Sequence, residues 1–201
     1  LEGKKVFFVL SLPRSRSRWL ATFLSYEGLD CGHDLAVECG SIGDFENALA
    51  GRVGTVETGA IAGWRLLIDR YPQAKLVVVT RPIGEIVDSF SRAGFGVPSG
   101  TMTELNVRAE MLRGVAQLPG VLAVTFDELR LMSVCKAIFE HTLELEFDYT
   151  WWDSLKDTNI QVDMPQRLRQ LQQNAPRLAA LKAEIERETA KLGDMRGRNW
   201  N

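Results

Sequence analysis

Val6-Phe7-Phe8-Val9-Leu10-Ser11-Leu12-Pro13-Arg14-Ser15-Arg16-Ser17-Arg18-Trp19-Leu20 changes character twice along its length. Residues 6–10 are apolar without interruption and rich in β-formers, the pattern of a strand buried on both faces of a parallel sheet. Residues 11–18 form a polar turn. Trp19, Leu20, Phe23 and Leu24 then recur at helical spacing and give one apolar face. The unit is a strand, a cation-rich turn and a helix. Parallel α/β folds place ligands at the carboxyl ends of such strands, and the start of the following helix offers unpaired N–H groups to an anion. Arg14, Arg16 and Arg18 add charge, and Ser15 and Ser17 add hydroxyl donors. A solvated basic turn is the plainer alternative, and the packing of three arginines and two serines between a strand and a helix argues against it.

The same alternation continues down the chain. Residues 27–52 are irregular, with a short helix expected near 44–49 and a short strand at 54–58. Residues 60–71 are expected to be helical and to end at Pro72. A second buried strand covers 76–80, followed by a helix with Ile83, Ile86, Val87 and Phe90 inward. Glycine and proline make 93–103 a loop, 104–118 a helix and 119–120 a turn into a third strand at 121–126. An amphipathic helix runs from 127 or 128 to about 143. The helical segment 165–192 is expected to be interrupted at Pro176, and a tail follows from 193. Strands alternating with helices imply a single α/β domain over residues 1–201. It is three-layered, with a mostly parallel central sheet flanked by helices and a helical C-terminal extension.

The totals narrow the function. The chain has 201 residues, with 45% hydrophobic and 25% charged, enough to bury a core without disulfides or metal. The net charge of −2 gives no general field for nucleic acid or anionic lipid, so an anion site must be built locally. Cys31, Cys39 and Cys135 lack metal-ligand spacing and are expected to be reduced thiols. No signal peptide or membrane span is visible, and the expected location is cytoplasmic. No metal site, nucleic-acid partner or membrane partner is expected.

A second anion site is suggested by Pro72-Gln73-Ala74-Lys75, the strand, and then Arg81-Pro82 with Ser89 two turns into the next helix. Arg81 can pair bidentately with a phosphate, and Ser89 can donate to the same group. With these residues the chain resembles the PAPS-dependent sulfotransferase family, PAPS being 3′-phosphoadenosine 5′-phosphosulfate. The turn from Pro13 to Leu20 is similar to the family's 5′-phosphosulfate loop. The pattern from Pro72 to Ser89 is similar to its 3′-phosphate motif. Val124-Thr125-Phe126-Asp127-Glu128-Leu129 resembles the strand and acidic segment that close the family core.

The resemblance implies a P-loop NTPase-like fold and a cofactor, PAPS, leaving as adenosine 3′,5′-bisphosphate (PAP). Arg14 falls where the family has a Lys or Arg touching the bridging oxygen and sulfuryl group. Ser15, Arg16, Ser17, Arg18 and Trp19 fall on the loop, and Arg81 and Ser89 on the 3′-phosphate contacts. Two positions depart from the family: Arg16 stands where it usually has Gly, and Arg18 where it has Ser or Thr. Arg16 is therefore expected to strain the turn or to reach the ligand. The implied reaction is metal-independent in-line transfer of a sulfuryl group to a hydroxyl or amine of a small-molecule, carbohydrate or peptide acceptor. The tail Met195-Arg196-Gly197 faintly resembles the segment that completes the family's 3′-phosphate site; a frayed basic terminus is the alternative.

Arg14 can stabilise charge but cannot move a proton at neutral pH. A base must therefore be found elsewhere. His33 beside Asp34 is one candidate; Asp34, Glu38 or Glu57 with a raised pKa are others, and His33 as a structural loop histidine is the bland reading. His141, near a helix end, reads as structural. Trp151-Trp152 reads either as a pocket wall or as packing. Rival functions are a P-loop kinase of a small molecule, a non-catalytic PAPS- or PAP-binding module, and an interaction scaffold. The kinase predicts Mg²⁺-dependent ATP turnover, yet the turn lacks the two glycines and the lysine of G-x-x-x-x-G-K-[ST]. The scaffold leaves both anion motifs unexplained.

Overall fold

A computed structural model of the chain describes residues 6–94, 100–160 and 163–192. Its sheet is made of β1 (Phe7–Ser11), β2 (Cys31–His33), β3 (Gly54–Glu57), β4 (Lys75–Thr80) and β5 (Val121–Thr125). The spatial order is β2-β3-β1-β4-β5, and every pairing is parallel. β1 lies at the centre because its unbroken apolar run satisfies a core on both faces; all five residues are buried.

The helices are α1 (Ser17–Phe23), α2 (Ile42–Leu49), α3 (Trp64–Arg70), α4 (Ile83–Arg92), α5 (Thr101–Val115), α6 (Met132–Leu143), α7 (Tyr149–Leu155) and α8 (Met164–Leu192). Successive β1 side chains point to opposite faces. Phe7 and Val9 pack with Trp19, Leu20 and Phe23 of α1 and Ile138 and Phe139 of α6. Phe8 and Leu10 pack with Leu66 and Leu67 of α3 and Leu112 and Val115 of α5. The result is the expected three-layer α/β architecture with a C-terminal helix.

Several expectations need correction. The irregular region contains the edge strand β2, whose three residues are too few to show a period; pairing with β3 makes it a strand. A 3₁₀ turn, Ala60–Gly63, precedes α3, and another, Asp127–Arg130, is separated from α6 by the extended residue Leu131. α5 starts at Thr101, inside the expected loop. α7 was not expected; the Asp148 carboxylate caps it by accepting from the Trp151 N–H at 3.0 Å. The Trp151 indole donates to the Phe23 carbonyl at 2.9 Å, and Trp152 is buried in the core, so the pair is packing rather than pocket wall.

α8 also continues through Pro176 rather than breaking there. An interior proline costs a helix about 3 kcal/mol. Contacts on both sides offset this: Arg167 pairs with Asp34 at 2.7 Å, Glu184 accepts from the Ile42 N–H at 3.0 Å, and Leu181 is buried in the core. Part of the expected 93–103 loop and the whole tail from 193 lie outside the described residues. Among the described residues, no helix is long and apolar enough to cross a membrane.

Gly54 marks a close approach of β3 to β1. A Cβ there would lie 2.5 Å from the Phe7 carbonyl oxygen and 2.5 Å from its ring. Gly54→Ala is therefore expected to destabilise the fold by about 1–3 kcal/mol, read as a lower urea midpoint. Gly114→Ala in α5, where a Cβ meets nothing within 4 Å, is expected to raise stability by about 0.5–1 kcal/mol.

Candidate functional site

The chain leaves β1 toward β2 and β3 on one side and reaches β4 and β5 on the other. This reversal opens a crevice at the carboxyl ends of β1 and β4, where the 12–16 turn sits. Arg14 and Arg16 both adopt left-handed backbone, with φ of 65° and 59°. Few non-glycine residues do so. Left-handed residues alternating with ordinary ones turn successive N–H groups inward and make a concave seat for an anion. No side chain caps the first turn of α1, and the fully buried Ser15 hydroxyl has no partner among the described residues.

The second cluster meets the first. The Arg14 Nε donates to the Ser89 hydroxyl at 3.0 Å. Arg81, 67 residues from Arg14, donates from Nη1 to the Arg14 carbonyl. Arg81 also pairs with Glu85 at 3.2 Å and stacks 3.7 Å above the centre of the Phe126 ring. Burial lowers the Arg14 pKa, and the neighbouring Arg81 and Arg92 lower it further. The site is thus a cluster of mutually repelling cations that an anion would relieve. It opens into a cavity of about 1830 Å³ that runs past His33 to α8. Nine basic and four acidic side chains line it, in a chain whose net charge is −2.

The other loop residues divide. Arg16 takes the left-handed backbone, and its guanidinium donates to the Lys156 carbonyl at 2.9 Å and lies 4.4 Å from the centre of the Trp19 ring. It braces the loop against the end of α7. Trp19 reaches the cavity wall, yet its indole is 1% exposed and donates to the Leu155 carbonyl at 2.8 Å. Arg18 is exposed on the cavity wall.

His33 ends β2, and its Nε2 lies 3.0 Å from the Ser17 hydroxyl, which joins this candidate base to the start of α1. Burial lowers the His33 pKa; Asp34 opposes this, while Arg18 and Arg167 reinforce it. Burial thus favours the neutral ring, the form that can take a proton. Asp34 has both oxygens engaged. Oδ1 accepts from the Thr58 N–H at 2.7 Å and from its hydroxyl at 2.9 Å, and Oδ2 accepts from Arg167 at 2.7 Å. It also lies 3.8 Å from His33 Nε2. Its position suits orienting His33 and tethering α8. Glu38 is exposed and does not line the cavity.

His141 is held 3.2 Å from the Leu76 carbonyl, near the start of β4 and away from the crevice. Sequence reasoning missed Arg92, Thr58 and Arg167. Arg167 contacts Asp34 from 133 residues away, and no local pattern announces that contact. Among the described residues, no cluster of His, Cys, Asp or Glu is suited to hold a metal ion.

Glu57, at the end of β3, is fully buried and off the cavity wall. It accepts from the Leu35 N–H at 2.7 Å and the Thr55 hydroxyl at 2.8 Å. Burial, then Asp34, push its pKa up to about 8. In the unfolded chain the group ionises near pH 4.5. Between these values the native state holds the extra proton, so stability falls as pH rises from about 4.5 to about 8. Glu57→Gln keeps both accepted bonds without ionising. Urea unfolding across pH 5–9 is expected to show this decline in the parent protein and its loss in the variant.

No protein-family model and no curated protein matches the chain. Among solved structures it is similar to a "Sulfotransferase Domain from the Curacin Biosynthetic Pathway", at 14% identity and a TM-score of 0.52, over 78% of each chain. The chain has the fold of a sulfotransferase domain.

Proposed function

We propose that this protein is a PAPS-dependent sulfotransferase of the cytoplasm, transferring a sulfuryl group to an acceptor hydroxyl or amine. The observation that carries this reading is the junction of Arg14 with both Ser89 and Arg81, which makes one site of two separate anion motifs. The orphaned Ser15 hydroxyl and the crowded guanidinium groups fit a nucleotide with anionic groups at both ends. The sulfotransferase fold supports the same reading. The three buried, unpaired cysteines accord with a reducing compartment.

Bound there, PAPS would supply an electrophilic sulfuryl group whose bond to the 5′-phosphate oxygen breaks as the acceptor attacks. The 14–18 backbone and Ser15 would hold the 5′ end, and Arg81 with Ser89 would hold the 3′-phosphate. Arg14 stabilises negative charge developing on the leaving oxygen without moving a proton. The guanidinium groups supply the countercharge, so the reading is metal-independent. His33 accepts the acceptor proton, and Ser17 and Asp34 orient its ring.

Two measurements test this. PAP at about 100 times its dissociation constant is expected to stabilise the protein by about 2.7 kcal/mol, with AMP and ATP giving much less. Arg81→Ala is expected to bind PAP and AMP alike; a variant that discriminates as well as the parent would show that Arg81 does not read the 3′-phosphate. Because burial lowers the His33 pKa below 6.5, kcat/KM is expected to rise with pH below that value and level off near neutrality. His33→Gln is expected to remove this limb and slow turnover about 10²–10⁴-fold. An unchanged profile would assign the proton to another group.

A further inference from the structure

The apolar stripe of α8 is only half used by the core. Leu181 is 5% exposed and packs in the core with Ile185 against it. Leu168, Leu171 and Leu178, on the same helix, belong to neither core cluster and line the cavity instead. Leu168 is 41% exposed there, and Val107 of α5, which lines the same cavity, is 48% exposed. A helix that spends three leucines on an open wall leaves apolar surface in water, which is unfavourable unless a ligand covers it.

The position of this wall is fixed. Arg167, the residue before Leu168, pairs with Asp34, and Asp34 is the neighbour of His33 in sequence and 3.8 Å from it in space. The leucines therefore begin where the proposed base lies. The cavity, at about 1830 Å³, is also larger than the roughly 300–1,000 Å³ typical of a site for one small molecule. The arginine-rich end and the leucine-rich end suit two ligands of opposite character.

We infer that the acceptor is an alcohol with an extended apolar body, aliphatic or alicyclic, lying along Leu168, Leu171 and Leu178 with its hydroxyl at His33. This rests on the sulfotransferase reading above. The acceptor oxygen forms the new bond to sulfur, the bond from sulfur to the 5′-phosphate oxygen breaks, and the acceptor proton passes to His33. The products are an alkyl sulfate ester and PAP.

Calorimetric titration with primary alcohols of increasing chain length, with and without PAP, tests the inference on the full chain. Affinity is expected to rise about fourfold for each methylene buried. Leu171→Gln, on the cavity wall rather than in the core, is expected to weaken the longest alcohol about tenfold while leaving PAP affinity and melting temperature unchanged. A flat series, or a monosaccharide binding as tightly as the long alcohols, overturns the acceptor assignment even if PAP binds. A length dependence that Leu171→Gln removes, in a protein that does not bind PAP, upholds the apolar pocket and overturns the sulfotransferase reading instead.

Discussion

The guanidinium of Arg81 reaches from the end of β4 to the main-chain carbonyl of Arg14, and the geometry of the crevice depends on that one bond. It joins the turn after β1 to the neighbouring strand. Arg81 is itself fixed by Glu85 below and the Phe126 ring beside it, and the Phe126 N–H bonds the Thr80 carbonyl at 2.8 Å. The carboxyl ends of β1, β4 and β5 thus form one braced unit. The left-handed residues Arg14 and Arg16 persist because this frame holds them. Strain of that kind costs about 1–3 kcal/mol per residue and needs surroundings that leave no easier conformation.

Charge is distributed to match. A chain of net charge −2 gathers nine of its 24 lysines and arginines around the cavity, against four acidic side chains, so the local field there opposes the overall balance. Arg14 lies close enough to Arg81 and Arg92 that each disfavours the charge on it. Such crowding is unfavourable for an empty fold. It turns to advantage when a doubly anionic ligand sits among the guanidinium groups, because their repulsion is then already part of the folded structure.

Much of this was legible from residue order. The β1 and β4 runs announced buried strands because five and four apolar residues in succession, rich in β-branched and aromatic types, allow little else; Arg14 and Arg81 followed from their places after strand ends, and Ser89 from its spacing to Arg81 in the next helix. His33 was legible as a residue type but not as a neighbour of Ser17, since β2 is too short to predict and its pairing with β3 is what positions the ring. The contact of Arg167 with Asp34 left no trace in the sequence. Pro176 misled, because the penalty of an interior proline is local whereas the contacts that outweigh it come from the rest of the fold. Trp19 and Arg16 looked like ligand contacts and turned out to be largely occupied with each other and with the end of α7.

α8 is anchored at Arg167 and again at Leu181, with the cavity-facing leucines between. The sheet and its arginines therefore do not rely on Leu168, Leu171 or Leu178 for their own packing. In evolutionary terms the two halves of the crevice are separable. On the reading proposed above, drift along that span of helix can retune what is received while the arginine cluster stays intact, so a lineage could exchange one acceptor for another without passing through an unfolded ancestor.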